Sequence, residues 1–448
     1  MASTANHVPR PGTGASSAFE EATYRKVAWR LSPLLLICYV VAYLDRVNVG
    51  FAKLQMAVDL QLSDAVYGFG VGIFFFGYFI FEIPSNVILH RVGARVWIAR
   101  IMISWGIISA LTMFVNTPAM FYVMRFLLGA AEAGFFPGII LYLTYWFPAK
   151  RHGRMTTLFM TAIALSGLIG GPISGWIMQR FDGVHGWHSW QWLLLLEGIL
   201  SVLVGLVVLV MLDDRIAKAK WLTQEEHDLL ARNIAADNVE KEDPSIGKIL
   251  SSPKVWLMSL IYFSFVMGLY GVSFWLPPII KSMGVSDALH VGLLSAIPYG
   301  AAVIGMLVAA RSADRTGERC WHIAVPAFIG AIGLVLLVIW ANNTTLAMLG
   351  LTLATTGILT TLPLFWSLPT AFLAGTGAAA GIAMINSLGK SGGVHQPVSG
   401  GMVEASDGLE CERDVYAGRV SGVGRVAGVE CAGADGESVI KHDRVRFL

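Results

Sequence analysis

The sequence predicts an all-α membrane protein built as two six-helix halves, and three observations carry that prediction. Ten apolar stretches each reach the roughly 20 residues that a bilayer-spanning helix needs. The 448-residue chain is 55% hydrophobic and only 14% charged, with a mean hydropathy of +0.63; soluble domains carry about 25% charged residues. A short charged pattern recurs once, at an offset of 224 (315 minus 91), and marks an internal duplication.

The candidate spans are 31–52, 66–89, 95–115, 119–147, 155–179, 190–211, 255–280, 289–310, 321–341 and 345–368. An eleventh begins near 371 and stops being apolar near 389. Trp29, Trp146 and Trp340 sit at span ends, where indole rings favour the headgroup level. Positive charge falls in alternate loops, at Arg25, Lys26 and Arg30, then Arg91 and Arg95, then Lys150, Arg151 and Arg154, then Arg311, Arg315 and Arg319. The intervening loops at 116–118 and 342–345 carry none. This bias predicts a multi-pass protein of the inner membrane with a cytoplasmic N-terminus.

Domain organisation follows. Residues 1–24, rich in Ser, Ala, Gly and Pro, read as a disordered cytoplasmic leader, without the apolar core of a signal peptide. The first bundle occupies 25–211 and the second 254–389, joined by a polar cytoplasmic linker over 212–253. Within the linker, Thr223-Gln-Glu-Glu226 predicts a capping box opening a helix over Glu225–Asn233.

Several function classes are disfavoured. A net charge of +2 gives no basic surplus for nucleic acid. Cys38, Cys320, Cys411 and Cys431 lack disulfide or zinc spacing. His185 and His188 lie among interface aromatics in an outside loop, a poor setting for a metal site. No phosphate-binding Gly-x-x-x-x-Gly-Lys-Ser/Thr loop occurs, which disfavours a primary pump. No serine–histidine or metal-ligand set converges within the spans, so neither an enzyme nor a cofactor is expected.

The repeated pattern is His90-Arg-Val-Gly-Ala-Arg-Val-Trp97 against Asp314-Arg-Thr-Gly-Glu-Arg-Cys-Trp321. Arg91, Gly93 and Arg95 match Arg315, Gly317 and Arg319, each copy following the second span of its half. Parallel repeats of this kind place a binding site between the halves, near the midplane. The second copy, with Asp314, resembles the gating motif of the major facilitator superfamily; the first departs from it in having His90 at the acidic position. Tyr43-Leu-Asp-Arg-Val-Asn48, Arg125-Phe-Leu-Leu-Gly-Ala-Ala-Glu-Ala-Gly-Phe-Phe-Pro-Gly138, Phe274-Trp-Leu-Pro277 and Phe365-Trp366 narrow the resemblance to its anion:cation symporter family. The resemblance covers about 25–389. It implies proton-coupled uptake of a carboxylate such as a sugar acid, tartrate or an aromatic acid, by a protein usually monomeric.

The charged residues within spans make the same case independently. An ionisable group in the bilayer core costs about 2.5–3.5 kcal/mol on insertion scales, so it faces an interior cavity and serves a function by default. Asp45 and Arg46 lie inside the first span; Arg125 and Glu132, seven residues apart, share a face of the fourth. Arginine's planar fork suits a carboxylate, which assigns Arg46 and Arg125 to substrate or charge balance. Asp45 and Glu132 are then the proton-coupling sites. The alternative is that the four form buried ion pairs locking the first and fourth spans together. Tyr43, one turn before Arg46, and Tyr78 are candidate donors to the anion, with ordinary packing as the other reading of Tyr78. Trp366 and Asn386 match cavity-lining positions of the family, although Trp366 also suits an interface anchor. A different class of function, a non-transporting membrane sensor on the same scaffold, stays open.

Residues 390–448 hold no apolar run of even ten and are rich in Gly, Val, Glu, Asp and Arg. The eleventh helix is thus expected to be cut short and the twelfth missing. Reading the codons one nucleotide later permits an apolar continuation. Met402-Val403 forces tryptophan in that frame, Glu404-Ala405 forces Lys or Arg, and Asp407-Gly408 forces Thr or Met. A single-nucleotide frameshift near codons 389–390 is therefore expected, the alternative being a genuine disordered tail on a shortened protein. Either way the chain as written is expected to fold poorly or not to transport, an inactive truncated product.

Overall fold

The computed structural model describes residues 13–239, 251–366 apart from 286 and 342, 368–369, 381 and 384–391. Expectations for 1–12, for most of 371–383 and for 392–448, including the severed eleventh span and the frameshifted tail, lie outside the described residues. So does the side chain of Asp314.

The described chain is helical, with α1 (Thr13–Asp59), α2 (Asp64–Val92), α3 (Ala94–Leu111), α4 (Pro118–Glu132), α5 (Phe135–Thr144), α6 (Ala149–Met160), α7 (Ala162–Arg180), α8 (Ser189–Met211), α9 (Gln224–Val239), α10 (Pro253–Ser282), α11 (Ala288–Thr316), α12 (Cys320–Ile339), α13 (Thr344–Phe365) and α14 (384–391). Ten helices or helix pairs among the described residues are long and apolar enough to cross a bilayer. They fall where the apolar runs predict.

Helix ends on the face away from α9 are closed by polar caps, which supply acceptors for amides that the helix itself leaves unpaired. Ser63, Thr117, Asp287 and Asn343 accept from Val66, Met120, His290 and Leu346 at 3.2, 3.2, 3.1 and 3.1 Å. At the α9 end, Gly93 joins α2 to α3 at φ 103°, and Asp214 Oδ1 accepts from the Arg95 amide at 2.9 Å. A Cβ at Gly93 would stand 2.8 Å from that same oxygen, so backbone and packing both demand glycine. In the second copy of the motif Gly317 repeats the turn at φ 69°. Arg91, Arg95, Arg315 and Arg319 are all exposed there.

Two expectations need correction. The leader does not run to residue 24, because α1 is already helical from Thr13. At 47 residues it is about 70 Å long, more than twice the hydrocarbon thickness, so its first turns stand outside the bilayer. They dock through Arg151, whose guanidinium pairs with Glu21 at 2.8 Å and lies 4.4 Å from the Tyr24 ring. The fourth span is not one helix: it breaks after Glu132 at Gly134, which adopts φ 85° hard against Ser85.

Between the halves, α7 lies along α11 and α1 along α10. A Cβ on Gly171 would approach the Gly292 carbonyl oxygen at 2.8 Å and one on Gly175 the Ala288 oxygen at 2.5 Å. This contact seals the seam on the face away from α9. Lys281 Nζ donates to the Leu54 carbonyl at 2.9 Å, and Gln179 to Asp287 at 2.9 Å, on the same side.

Candidate functional site

The seam between α1, α2, α5 and α10 holds Arg46 and Glu132, two of the four intramembrane charges that the sequence singles out. Arg46 ion-pairs with Glu132, the last residue of α4, and donates to the Tyr270 hydroxyl at 3.4 Å. Its guanidinium lies 5.6 Å from the Tyr43 ring and 5.7 Å from those of Phe74 and Tyr78. Tyr43 shares a 3.1 Å hydrogen bond with Ser273 of α10. The break after Glu132 has a local cause, since the chain turns at Gly134 and leaves the carboxylate at a helix end beside α1.

A second charged group sits one to two turns nearer α9. Glu82 accepts from Asn386 at 3.1 Å and from Lys390 at 3.0 Å. Lys390 lies 4.1 Å from the Tyr78 ring, which therefore separates two cations. Trp366 closes this region from the second half, edge-on to Tyr262 at 4.9 Å.

Not every predicted residue joins this seam. Asp45 and Arg46 are adjacent on α1, hence about 100° apart around it, and Asp45 points into the first bundle. Its oxygens accept from Trp105 Nε1 at 2.9 Å, from Ser109 at 3.0 Å and from Ser201. Arg125 is 2% exposed and lines a cavity with Asn48, Ser109, Thr112 and Leu194, all of the first bundle. Its Nε and Nη2 have no hydrogen-bond partner among the described residues.

The seam is rich in polar atoms left open. The Tyr78 hydroxyl, Glu82 Oε2, Asn386 Oδ1 and Arg46 Nε are buried and without partners among the described residues. Buried polar groups are nearly always paired, so four unpartnered atoms in one seam set it apart from the rest of the interior. They can offer a carboxylate an arginine and a hydroxyl donor, and can offer a hydroxylated or protonated group two acceptors.

Glu82, Lys390 and Glu197 were passed over in the sequence. Glu82 stands in Phe79-Ile-Phe-Glu-Ile-Pro84 and Glu197 in Leu193-Leu-Leu-Leu-Glu-Gly198. Each is a lone acid inside an apolar run, the same signal that picked out Asp45.

Comparison with known proteins agrees with this architecture. The family model described as Major Facilitator Superfamily matches residues 35–394. The metabolite transport protein NicT of Pseudomonas putida is 51% identical over 376 residues, 84% of this chain and 86% of NicT. A protein of Agrobacterium vitis described as a tartrate transporter is 46% identical over 391 residues, 87% of this chain and 86% of its own. Among solved structures, the xylose transporter XylE from Escherichia coli, in a partially occluded inward-open conformation, superposes with a TM-score of 0.68 at 14% identity, covering 88% of this chain and 95% of XylE. The chain therefore belongs to the Major Facilitator Superfamily, a family of multi-pass membrane transporters.

Proposed function

We propose that this protein is a proton-coupled importer of a small organic anion, a carboxylate such as tartrate, a sugar acid or an aromatic acid, working by alternating access. The observation that carries the reading is the Arg46–Glu132 ion pair at the seam, with the Tyr270 hydroxyl of the opposite half on the same guanidinium. A substrate carboxylate and Glu132 compete for one arginine. Leaving Glu132 ionised without its partner inside the bilayer is costly, so anion binding favours a proton on Glu132. Asp45 is the second coupling site in this reading, with Arg125 balancing charge nearby. The tartrate and metabolite transport descriptions of the relatives support the substrate class.

Rocking of the two halves about the seam exposes the site alternately. The basic loops put α9 and the N-terminus in the cytoplasm, so the sealed α7–α11 contact is the outer gate and this conformation is shut to the outside. The carrier works as a monomer.

Resequencing codons 380–448 fixes which chain to assay. An unshifted frame leaves the tail as written, on a chain expected not to transport; a shifted one that runs on through apolar sequence makes the corrected protein the transporter. In proteoliposomes holding that protein and an imposed pH gradient, tartrate is the first probe. Expected is uptake accompanied by proton entry and abolished by an uncoupler. Uptake indifferent to both overturns the reading.

A further inference from the structure

We propose that Glu197 is a proton-carrying residue, neutral while its neighbour Asp45 is ionised. The argument begins with charge. Among the described residues, buried Arg46 pairs with Glu132, buried Lys53 with Asp64 at the start of α2, and Lys390 with Glu82. Three buried groups remain: Arg125, Asp45 and Glu197, exposed 2%, 2% and 4%. One cation against two carboxyls leaves net charge within a single bundle, and one proton cancels it. Two carboxyls crowded in a poorly solvated site share a proton rather than both ionise.

The geometry says which of them holds it. Both Asp45 oxygens are occupied by donors: Ser109 on Oδ1, Trp105 and Ser201 on Oδ2. The indole can only donate, and three donors on one carboxyl describe an anion. Glu197 accepts on Oε1 from Ser174 at 2.8 Å, while its Oε2 is buried without a partner. An ionised oxygen in that position would lose its hydration with no cation and no well-formed hydrogen bond in return, so the proton belongs on Oε2.

The groups around Glu197 bear this out helix by helix. From α1 come Asp45 and the Asn48 carboxamide, whose Nδ2 faces Glu197 as a neutral donor but outside good hydrogen-bond geometry. From α3, the backbone at Gly106 and Ala110 packs on Gly198, and from α7 comes Ser174. No lysine, arginine or histidine on these helices forms an ion pair with Glu197 among the described residues.

Glu197 also has a path to the seam. Ser174 lines the cavity between the halves together with Ser273, Ser295 and Tyr299. When the seam opens, the Glu197 carboxyl turns so that its O–H faces Ser174; that O–H bond breaks as the Ser174 oxygen takes the proton, and the Ser174 O–H bond breaks in turn to pass its own hydrogen to water there. The bundle is left one negative charge in excess, and uptake of a proton from the seam restores it. This step extends the proton-coupled reading above; the protonation state itself does not depend on that reading.

The decisive experiment is infrared spectroscopy of the purified full chain in lipid at neutral pH. A carboxylic-acid C=O band that shifts in D2O is expected, absent in Glu197→Gln. If that variant does not fold, isotope labelling of the unmodified chain replaces it. Carbon-13 in the glutamate carboxyls must then move the band, and carbon-13 in the aspartate carboxyls must not. A band untouched by Glu197→Gln, or one that follows aspartate, overturns the proposal. Proton flux with tartrate, measured on the same preparation, separates the two readings. A Glu197 band present in a protein that moves no protons keeps the site and removes the coupled-transport function.

Discussion

In the described spans of the N-terminal half, Asp45, Arg46, Arg125, Glu132 and Glu197 are all buried, whereas the described side chains of α10 to α13 in the C-terminal half include no buried acidic or basic group. That half instead presents Tyr262, Tyr270, Ser273 and Tyr299 to the seam. The contrast is sharpest where the halves touch. Arg46 and Tyr270 are 224 positions apart, the offset of the repeated motif, and they hydrogen-bond to each other at 3.4 Å. Equivalent positions of a duplicated unit thus meet at the seam, one carrying a charge and the other a neutral hydroxyl. Duplication supplied the symmetric scaffold; divergence then concentrated the ion chemistry in one half and, Lys390 on α14 apart, left α10 to α13 to contribute shape and hydrogen bonding.

If that division holds, substitutions at this one contact have very unequal effects. Arg46→Lys is expected to lower uptake at least 100-fold, because an ammonium cannot reproduce the planar fork and leaves Glu132 poorly paired. Breaking a buried pair costs about 3–5 kcal/mol, more than enough for that loss. Tyr270→Phe removes one hydrogen bond worth about 1 kcal/mol and should raise KM roughly fivefold at unchanged expression. Initial-rate uptake in vesicles measures both. Equal losses from the two would show that the halves share the ionic work.

Glu132→Gln sharpens the comparison differently. It keeps the shape and removes the proton, so exchange of anion across the membrane should persist while accumulation against a gradient fails. Counterflow and net uptake, assayed side by side, report the two. Loss of exchange as well would mean that Glu132 only holds Arg46 in place.

The scaffold itself is tested by Gly171→Leu. Its side chain would have to enter the space of the Gly292 carbonyl at 2.8 Å, so the α7–α11 contact should no longer close. Insertion and bundle stability should change little, since the collision lies between the halves. Cysteine-accessibility labelling from the face away from α9 should rise several-fold.

How much of this was legible differs along the chain. The ten spans were readable because a bilayer forces length and apolarity on every crossing helix. Arg46 and Glu132 were readable as intramembrane charges; their partnership was not, since it depends on the turn at Gly134 and on how α1 is rotated. The separation of Asp45 from Arg46 was available in principle from the 100° step between adjacent helical residues. Glu197 and Glu82 carried the same lone-acid signal as Asp45 and went unused for want of a motif around them. Lys390 stood where the apolar pattern failed, yet its ammonium lies on Glu82, a contact no periodicity could announce.

The smallest effect expected lies outside the bilayer and marks the limit of the contrast. Lys26 of α1 pairs with Glu226 at 2.7 Å, while Glu226 also closes the capping box of α9 through the Thr223 amide at 2.8 Å. Partial burial pushes the Glu226 carboxyl up, but the Lys26 ammonium and the Thr223 amide outweigh it and hold the group below its usual 4.5. A carboxyl lowered on folding stabilises fully above its unfolded value and loses that contribution as pH falls through the folded one. The latch should therefore hold at neutral pH and release only under acid conditions below the ordinary carboxylate range. The Lys26 side chain is 42% exposed, so water and salt screen the pair. A double-mutant cycle with Lys26→Met and Glu226→Gln should return about 0.5 kcal/mol and decline in high salt. A coupling several times larger, insensitive to salt, would mean that this surface contact is as well shielded as Arg46 and Glu132, and that the bilayer is not what separates the strong pairs from the weak.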